Sequence, residues 1–256
     1  MIILFTAHNS ASANIAAMLI ERHGFEKIKE NEWRKGDVRM IDTQAPTVLD
    51  VPTDFEEPIL VLSTHKSRTA GKMLTAHVPG NWGDAGLGGE PRTLNIAPAS
   101  RLKALLMELK KEGDRIGWPV SLEADHHGPT CDTPIMFVEI GNDEEQWQDE
   151  KAAEAVANAV MASLDNNSTY ETVFGLGGGH YSRGFTKLVL ESAFAVGHIA
   201  PKYAIDAMDE EMFRQAVERN SERVVKVAVL KDETSAPQRQ KINALAEAMG
   251  LPVETI

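Results

Sequence analysis

Short apolar runs and longer stretches of helical spacing alternate along the chain, and this alternation predicts an α/β fold. Residues 1–7 are almost wholly apolar, as a central strand covered on both faces is. Asn9 or Ser10 can cap a helix over Ala11–His23, with Ile15, Met18 and Leu19 on one face and Gly24 as its stop. Residues 25–57 hold no strong period beyond a short strand at Val38–Ile41, whereas Ile59–Leu62 reads as a buried strand. Residues 71–98 are rich in Gly and Pro, a loop length that ordinarily binds or covers something, although Leu74–Val78 and Leu94–Ala97 alternate enough for two extra strands. Leu102, Leu105, Leu106 and Leu109 place a helix over Arg101–Lys111, capped by Ser100 and ended by Gly113.

Pro119–Leu122 and Pro134–Ile140 read as two strands, close enough in sequence to be neighbours or a hairpin. A long helix over Asp143–Leu164 follows, then a strand at Tyr170–Leu176 and a helix over Phe185–Val196 that Gly197 and His198 end. A helix over 209–219, a strand at Val224–Leu230, a helix over Pro237–Met249 and an edge strand within Leu251–Ile256 complete the order. The expectation is one compact α/β domain over residues 1–256, with a mixed, largely parallel central sheet flanked by helices.

The polar residues concentrate where apolar strands end. Within Ser121–Thr130, a strand gives way to Glu123, Asp125, His126 and His127 before Gly128-Pro129, as though a scaffold presented a site. The second concentration is Gly177-Gly178-Gly179-His180-Tyr181-Ser182-Arg183-Gly184, after the Tyr170–Leu176 strand and before a helix. Its glycines let backbone approach a ligand, its helix start can hold an anion, and His180 and Arg183 are placed to act there. No Gly-Lys-Ser/Thr follows, so it is not a phosphate-binding P-loop. His8 and the Ser63–Arg68 segment with His65 lie beyond other strands, so a parallel sheet gathers these groups on one rim.

Composition narrows the setting. A chain of 256 residues with 43% hydrophobic and 25% charged residues can bury its own core. The single cysteine, Cys131, cannot form an internal disulfide, which fits a reducing compartment, and a cytoplasmic protein is expected. No run approaches 18 apolar residues, so no membrane span is expected. A net charge of −12 repels DNA, RNA and anionic membranes alike, so any polyanionic partner needs a local basic surface. Lys66, Arg68 and Lys72 form one candidate; Arg101, Lys103, Lys110 and Lys111 another; Arg183, Lys187 and Lys202 a third.

Two chemistries suit the polar clusters. Histidine and carboxylate groups can hold zinc with a position left for water, although no HExxH helix is present. Alternatively, a histidine acts as general base, a carboxylate orients it, and backbone N–H groups around Gly179 receive an oxyanion. Side chains of adjacent residues on extended backbone point to opposite faces, so His126 and His127 have different roles unless the turn rotates them. A serine nucleophile is disfavoured because no GxSxG elbow occurs, and Cys131 reads as core.

The segments Leu122-Glu-Ala-Asp-His-His-Gly-Pro-Thr130 and Gly177-Gly-Gly-His-Tyr181, in this order and separation, resemble the two signature stretches of the archaeal and plant type of D-aminoacyl-tRNA deacylase. Phe5–Ser10, Ser63–His65 and Gly197–Lys202 are similar to the same family, so the resemblance spans nearly the whole chain. It implies a zinc-dependent hydrolase that cleaves the ester between a D-amino acid and the terminal ribose of tRNA. The implied fold is similar to bacterial peptidyl-tRNA hydrolase and the nucleoside phosphorylases. Carried over by residue, the implied site comprises His126, His127, His180 and Tyr181, with Glu123 and Asp125 nearby; in the mechanism expected from it, backbone N–H groups near Gly178 and Gly179 stabilise the oxyanion. The zinc ligands are expected among His65, Glu123, Asp125, His126 and His180. The acceptor end of D-aminoacyl-tRNA is then the partner, met by a basic rim of Lys66, Arg68, Arg183 and Lys187 on a monomer, with neither DNA nor membrane involved. Another metal-dependent hydrolase or nucleoside-processing enzyme on a related scaffold is the alternative, and a non-catalytic RNA-binding module a third.

Overall fold

A computed structural model describes residues 1–67 and 71–256; Arg68, one of the expected basic-rim residues, lies outside them. The fold opens as the apolar pattern requires. Strand β1 (Ile2–Phe5) is fully buried and leads into α1 (Ser10–His23). Asn9 caps that helix by accepting from the Ser12 N–H at 3.0 Å, and Gly24 ends it in the left-handed region at φ 71°. Three strands follow, β2 (Glu26–Lys29), β3 (Glu32–Lys35) and β4 (Val38–Asp42), forming an antiparallel meander whose exposed, charged outer strands leave no hydrophobic period. Next come β5 (Ile59–Lys66), β6 (Met73–His77) and the short pair β7 (Gly80–Asn81) and β8 (Thr93–Leu94). Both extra strands expected from the Gly- and Pro-rich stretch therefore form, the second in shortened form.

Helix α2 (Ala99–Ile116) is longer than its leucine stripe indicates, and both of its expected ends move. Ser100 does not cap it. The capping acceptor is the distant Glu222 carboxylate, which takes the Ala99 and Ser100 N–H groups at 3.1 and 3.0 Å, while Ser100 Oγ accepts from Tyr170 N. Gly113 lies inside the helix because it must be small: a Cβ there would stand 2.6 Å from Val120 Cγ2 and 2.8 Å from the Trp118 carbonyl oxygen. Gly117, at φ 70°, is the actual stop.

Strands β9 (Val120–Leu122) and β10 (Ile135–Asn142) are not neighbours, contrary to expectation, because β6 lies between them. The expected helix over 143–164 is two, α3 (Glu144–Trp147) and α4 (Glu150–Leu164), the second capped afresh by Asp149. After β11 (Glu171–Leu176), α5 (Arg183–Glu191) ends early. Residues read as its last turn and stop instead form β12 (Phe194–Ala200), a strand buried on both faces that shows no alternation. The chain closes with α6 (Lys202–Ile205), α7 (Glu210–Glu218), β13 (Val224–Val229), α8 (Ala236–Ala248) and β14 (Val253–Thr255).

The main sheet has the order β2-β3-β4-β1-β5-β10-β6-β9, with β4, β1, β5 and β10 mutually parallel and the β6–β9 pair inverted. A second sheet, β12-β11-β13-β14, is all parallel. The architecture is thus a mixed, largely parallel α/β fold flanked by helices. Alternation divides the main sheet's side chains between two cores. Ile3, Leu60, Leu62, Met136 and Val138 face α1, α2 and α4, whereas Ile2, Leu4, Ile59, Val61, Ile135 and Phe137 face a smaller core closed by Val51, Phe55 and Cys131. The second sheet packs Phe174, Leu176, Val227 and Val229 against Met212, Phe213 and Ile242 of α7 and α8.

Candidate active site

The site grows out of the smaller core. Along β5 the side chains on that face run Ile59, Val61, Ser63, His65; along β10 they run Ile135, Phe137, Glu139. Register places Glu139 opposite both Ser63 and Thr75, and Phe137 opposite His77. One step beyond the β6–β9 ladder, Glu123 stands level with His77. His65, His77, Glu123 and Glu139 therefore line the face of the sheet, on positions that continue an apolar stripe. The groups expected to meet beyond strand ends, His8, His65, His126, His127 and His180, do line one pocket, and this wall adds His77 and Glu139 to them.

Two backbone segments close over this wall. Tyr181 pairs antiparallel with Glu123, with the Ala124 N–H donating to the His180 carbonyl at 2.8 Å and Ser182 N–H to the Leu122 carbonyl at 2.9 Å. The two signature stretches are thus laced together, and His180 is delivered to 3.5 Å from Glu123 Oε2. The second segment is the turn at 126–128. His127 takes φ 52°, a left-handed conformation that costs a non-glycine residue about 1 kcal/mol or more. That rotation defeats strand alternation: the rings of His126 and His127 come to 4.4 Å between centroids, facing one space.

The result is five imidazoles, His65, His77, His126, His127 and His180, around two buried carboxylates. His65 Nδ1 lies 3.0 Å from Glu123 Oε1 and 3.5 Å from Glu139 Oε2, and its Nε2 lies 2.7 Å from the Tyr181 hydroxyl. Burial opposes a charge on His65, but the two carboxylates outweigh it and push its pKa up to about 11. Burial likewise opposes ionisation of Glu123, yet the facing His65 and the other imidazoles hold it below the ordinary carboxylate range. Glu139, also buried and with the Glu123 charge beside it, is pushed up to about 7 despite His65. One imidazolium thus holds one carboxylate firmly ionised and leaves the second near its midpoint at neutral pH. Burial and neighbouring charge push His126 down to about 3 and burial pushes His127 down to about 4, so both rings are neutral near pH 7. His77 and His180 are lowered for the same first reason, burial.

These residues fit a metal ion. Three groups among the described residues bring ligand atoms within 4.8 Å of one another: His77, His126 and His127; His65, Glu123 and His180; and His77, Glu123 and Glu139. The tautomers favour the first. His126 Nδ1 is held by the Ala124 carbonyl at 2.9 Å and His127 Nδ1 by that of Gly128, contacts in which the ring must donate, so each Nε2 carries the ring's lone pair and is an acceptor. His77 Nε2 and His127 Nε2 stand 3.1 Å apart, close to the ~3.3 Å separating two imidazole ligands of one tetrahedral zinc. Meanwhile both Glu123 oxygens and His77 Nδ1 are buried without a well-formed hydrogen bond, a costly state that a cation relieves.

Asp125, expected among the ligands, is turned elsewhere. Its carboxylate accepts from Ile199 N–H at 3.0 Å and meets His198 Nδ1 at 2.7 Å, while His198 Nε2 donates to the Arg219 carbonyl. It fastens the motif to β12, and burial, working against His198, raises its pKa. Gly178 is in the left-handed region at φ 82°, and among the described residues the Gly178 and Gly179 N–H groups donate to no protein atom. His77 and Glu139 were not singled out from the sequence. Their signal is a single polar residue that ends an alternating row on one face of a strand, as in Ile135-Phe137-Glu139.

The cluster opens to a pocket of about 500 Å³ that also touches His8, Asn9, Thr47 and Lys66. His126, His127 and Leu87 separate it from a pocket of about 350 Å³ bounded by Trp82 and Tyr203. The glycine-rich stretch 83–91 forms this divider. Gly128 N–H donates to the Leu87 carbonyl at 3.1 Å, and Glu90 N–H to Thr130 Oγ1 at 2.8 Å. The backbones touch so closely that a Cβ on Gly128 would lie 2.6 Å from Gly88 C and 2.8 Å from Gly89 Cα. Gly128→Ala is therefore expected to cost about 2–3 kcal/mol, or roughly 4–12 °C in Tm for a chain of this length. Thermal unfolding checks it, and a Tm within 1 °C of the parent rules out the close contact.

Residues 53–254 match the family model described as D-aminoacyl-tRNA deacylase. A D-aminoacyl-tRNA deacylase of Thermococcus kodakarensis is 37% identical, the match covering 98% of this chain and 97% of that one; that of Pyrococcus abyssi is 34% identical over the same shares. A crystal structure of a conserved protein of unknown function has a TM-score of 0.89 and 28% identity, covering 99% of this chain and 94% of its own. No helix among the described residues is long and apolar enough to cross a membrane. With a match of this extent in both directions, this chain belongs to the D-aminoacyl-tRNA deacylase family.

Proposed function

We propose that the protein hydrolyses the ester joining a D-amino acid to the terminal ribose of tRNA, using zinc. The observation that carries the reading is Glu123: a fully buried, ionised carboxylate whose two oxygens lack well-formed hydrogen bonds and face histidines on several sides. Such a group is costly to the fold, and its position beside neutral, tautomer-fixed imidazoles is what ester hydrolysis at a metal centre requires. His77, His126 and His127 are the residues that would hold zinc, which supplies a water of lowered pKa and polarises the ester carbonyl. Glu123 takes the proton from water as its oxygen bonds to the ester carbon, and returns it to the ribose oxygen as the acyl–oxygen bond breaks. His65, kept charged by the two carboxylates, holds Glu123 ionised beforehand and is itself steadied by the Tyr181 hydroxyl. The Gly178 and Gly179 N–H groups are free to receive the carbonyl oxygen as it gains charge, and His180 borders the same space. Asp125 is assigned a positioning role, because His198 and Ile199 already occupy its oxygens.

The test compares matched D- and L-aminoacyl-tRNA, with enzyme dialysed against chelator and then restored with zinc. Release of the D-amino acid at least 100-fold faster than its L-counterpart is expected, as is a loss on chelation that zinc reverses. Equal rates on both enantiomers defeat the substrate reading. Full activity in protein shown to be metal-free defeats the zinc.

A further inference from the structure

A groove of about 710 Å³ opens on the far side of Tyr181. Its floor includes Val120 and Ser121 of β9, and Ser121 is two residues, about 7 Å of strand, from Glu123. Lys72, Lys110, Arg183 and Lys187 line it, against the single carboxylate of Glu191. The chain as a whole has the opposite balance, 26 Lys and Arg against 38 Asp and Glu. Lys110 is engaged by Asp114 at 2.6 Å, but Lys72, Arg183 and Lys187 are exposed, and Lys187 meets Glu191 only at 3.9 Å with both side chains mostly in water. The cations come from three separate parts of the fold: the segment before β6, α2 and α5. Charges spread along an open trough suit a chain of phosphates better than one small anion. Tyr181 joins the trough to the site, since the residue lines the groove while its hydroxyl touches His65. On the other side of the cluster the character reverses: among the described residues, the pocket of Trp82 and Tyr203 is bordered by Asp84 and Asp125 and by no Lys or Arg.

We infer that this groove is the polynucleotide track of the site, with acceptor-strand phosphates lying on Lys72, Arg183 and Lys187 and the 3′ end passing Tyr181 to bring its ester to Glu123. The identity of the ligand rests on the deacylase reading. The polarity does not: whatever anionic chain the site serves arrives from the Tyr181 side and leaves its phosphate-free end toward Trp82.

The experiment reverses two exposed charges, Lys72→Glu with Lys187→Glu, and uses two substrates. One is D-aminoacyl-tRNA; the other is the same ester on adenosine, which lacks phosphates. For the tRNA, kcat/KM is expected to fall about 30- to 100-fold near 0.1 M salt, and the log–log salt slope to shrink by about 2. For the adenosine ester, the change stays under about 3-fold. Binding of uncharged tRNA, followed by fluorescence anisotropy, must weaken in parallel. An unchanged tRNA rate overturns the track, and so does an equal fall on both substrates. If the parent protein cleaves neither ester while tRNA binding still depends on the two lysines, the deacylase reading fails and the track stands. If cleavage is intact and tRNA binding ignores the lysines, the reverse holds.

Discussion

Glu123→Gln is expected to lower kcat/KM for D-aminoacyl-tRNA by about 1,000-fold, or roughly 4 kcal/mol of transition-state stabilisation. The substitution preserves shape and removes the charge. An amide cannot take a proton from water, and it no longer gives His65 its closest counter-charge at 3.0 Å. Glu139→Gln is the informative contrast. Glu139 is pushed up to about 7, so near neutral pH much of it is already protonated and glutamine imitates that form. Its loss should stay below about 10-fold at pH 6–7 and widen at higher pH, where the parent carboxyl ionises and the amide cannot. Single-turnover hydrolysis with saturating enzyme separates the two. A Glu123→Gln protein that keeps its Tm and falls less than 10-fold makes Glu123 a mere counter-ion to His65. A Glu139→Gln protein as dead as Glu123→Gln makes the pair, rather than Glu123 alone, the proton acceptor.

The contrast between these glutamates also shows which part of the site the sequence displayed. Glu123, His126, His127, His180 and Tyr181 sit in two dense polar stretches, and the backbone pairing of Glu123 with Tyr181 explains why they belong together. Glu139 and His77 were hidden because each sits singly on an apolar strand, at a position that alternation alone cannot tell from core. Their meeting depends on β6 inserting between β10, to which it runs antiparallel, and β9, to which it runs parallel, a long-range choice that no local period encodes. The same limit explains the fold. The interior parallel strands and α1 were legible from their runs and caps. The ends of α2 are not written in its local sequence because its cap is Glu222, more than a hundred residues away, and β12 has no local signature because a strand buried on both faces carries no polar alternation. His127 shows the converse: side chains alternate on extended backbone, and one left-handed residue sets that alternation aside.

That turned residue leads to the second large effect. Zinc added to metal-free protein is expected to raise Tm by roughly 10 °C: a ligand binding only the native state at about 1,000 times its Kd contributes about 4 kcal/mol, and a chain of this length gains about 2–4 °C per kcal/mol. His126→Ala and His127→Ala should each remove most of the shift, because each takes away an Nε2 lone pair whose ring is already oriented by a backbone carbonyl. His23→Gln should keep it, since that ring bonds Asn158 on α4, away from the cluster. The variants also choose between ligand groups. If zinc sits on His77, His126 and His127, His180→Ala leaves the shift nearly intact; if it sits on His65, Glu123 and His180, that substitution abolishes it and His127→Ala does not. A parent protein whose Tm ignores zinc has no such site. In that case the buried oxygens of Glu123 are balanced by His65 and the other imidazoles, and hydrolysis, if it persists through chelation, runs by the general-base route in which Glu123 and the Gly178–Gly179 amides act without an ion.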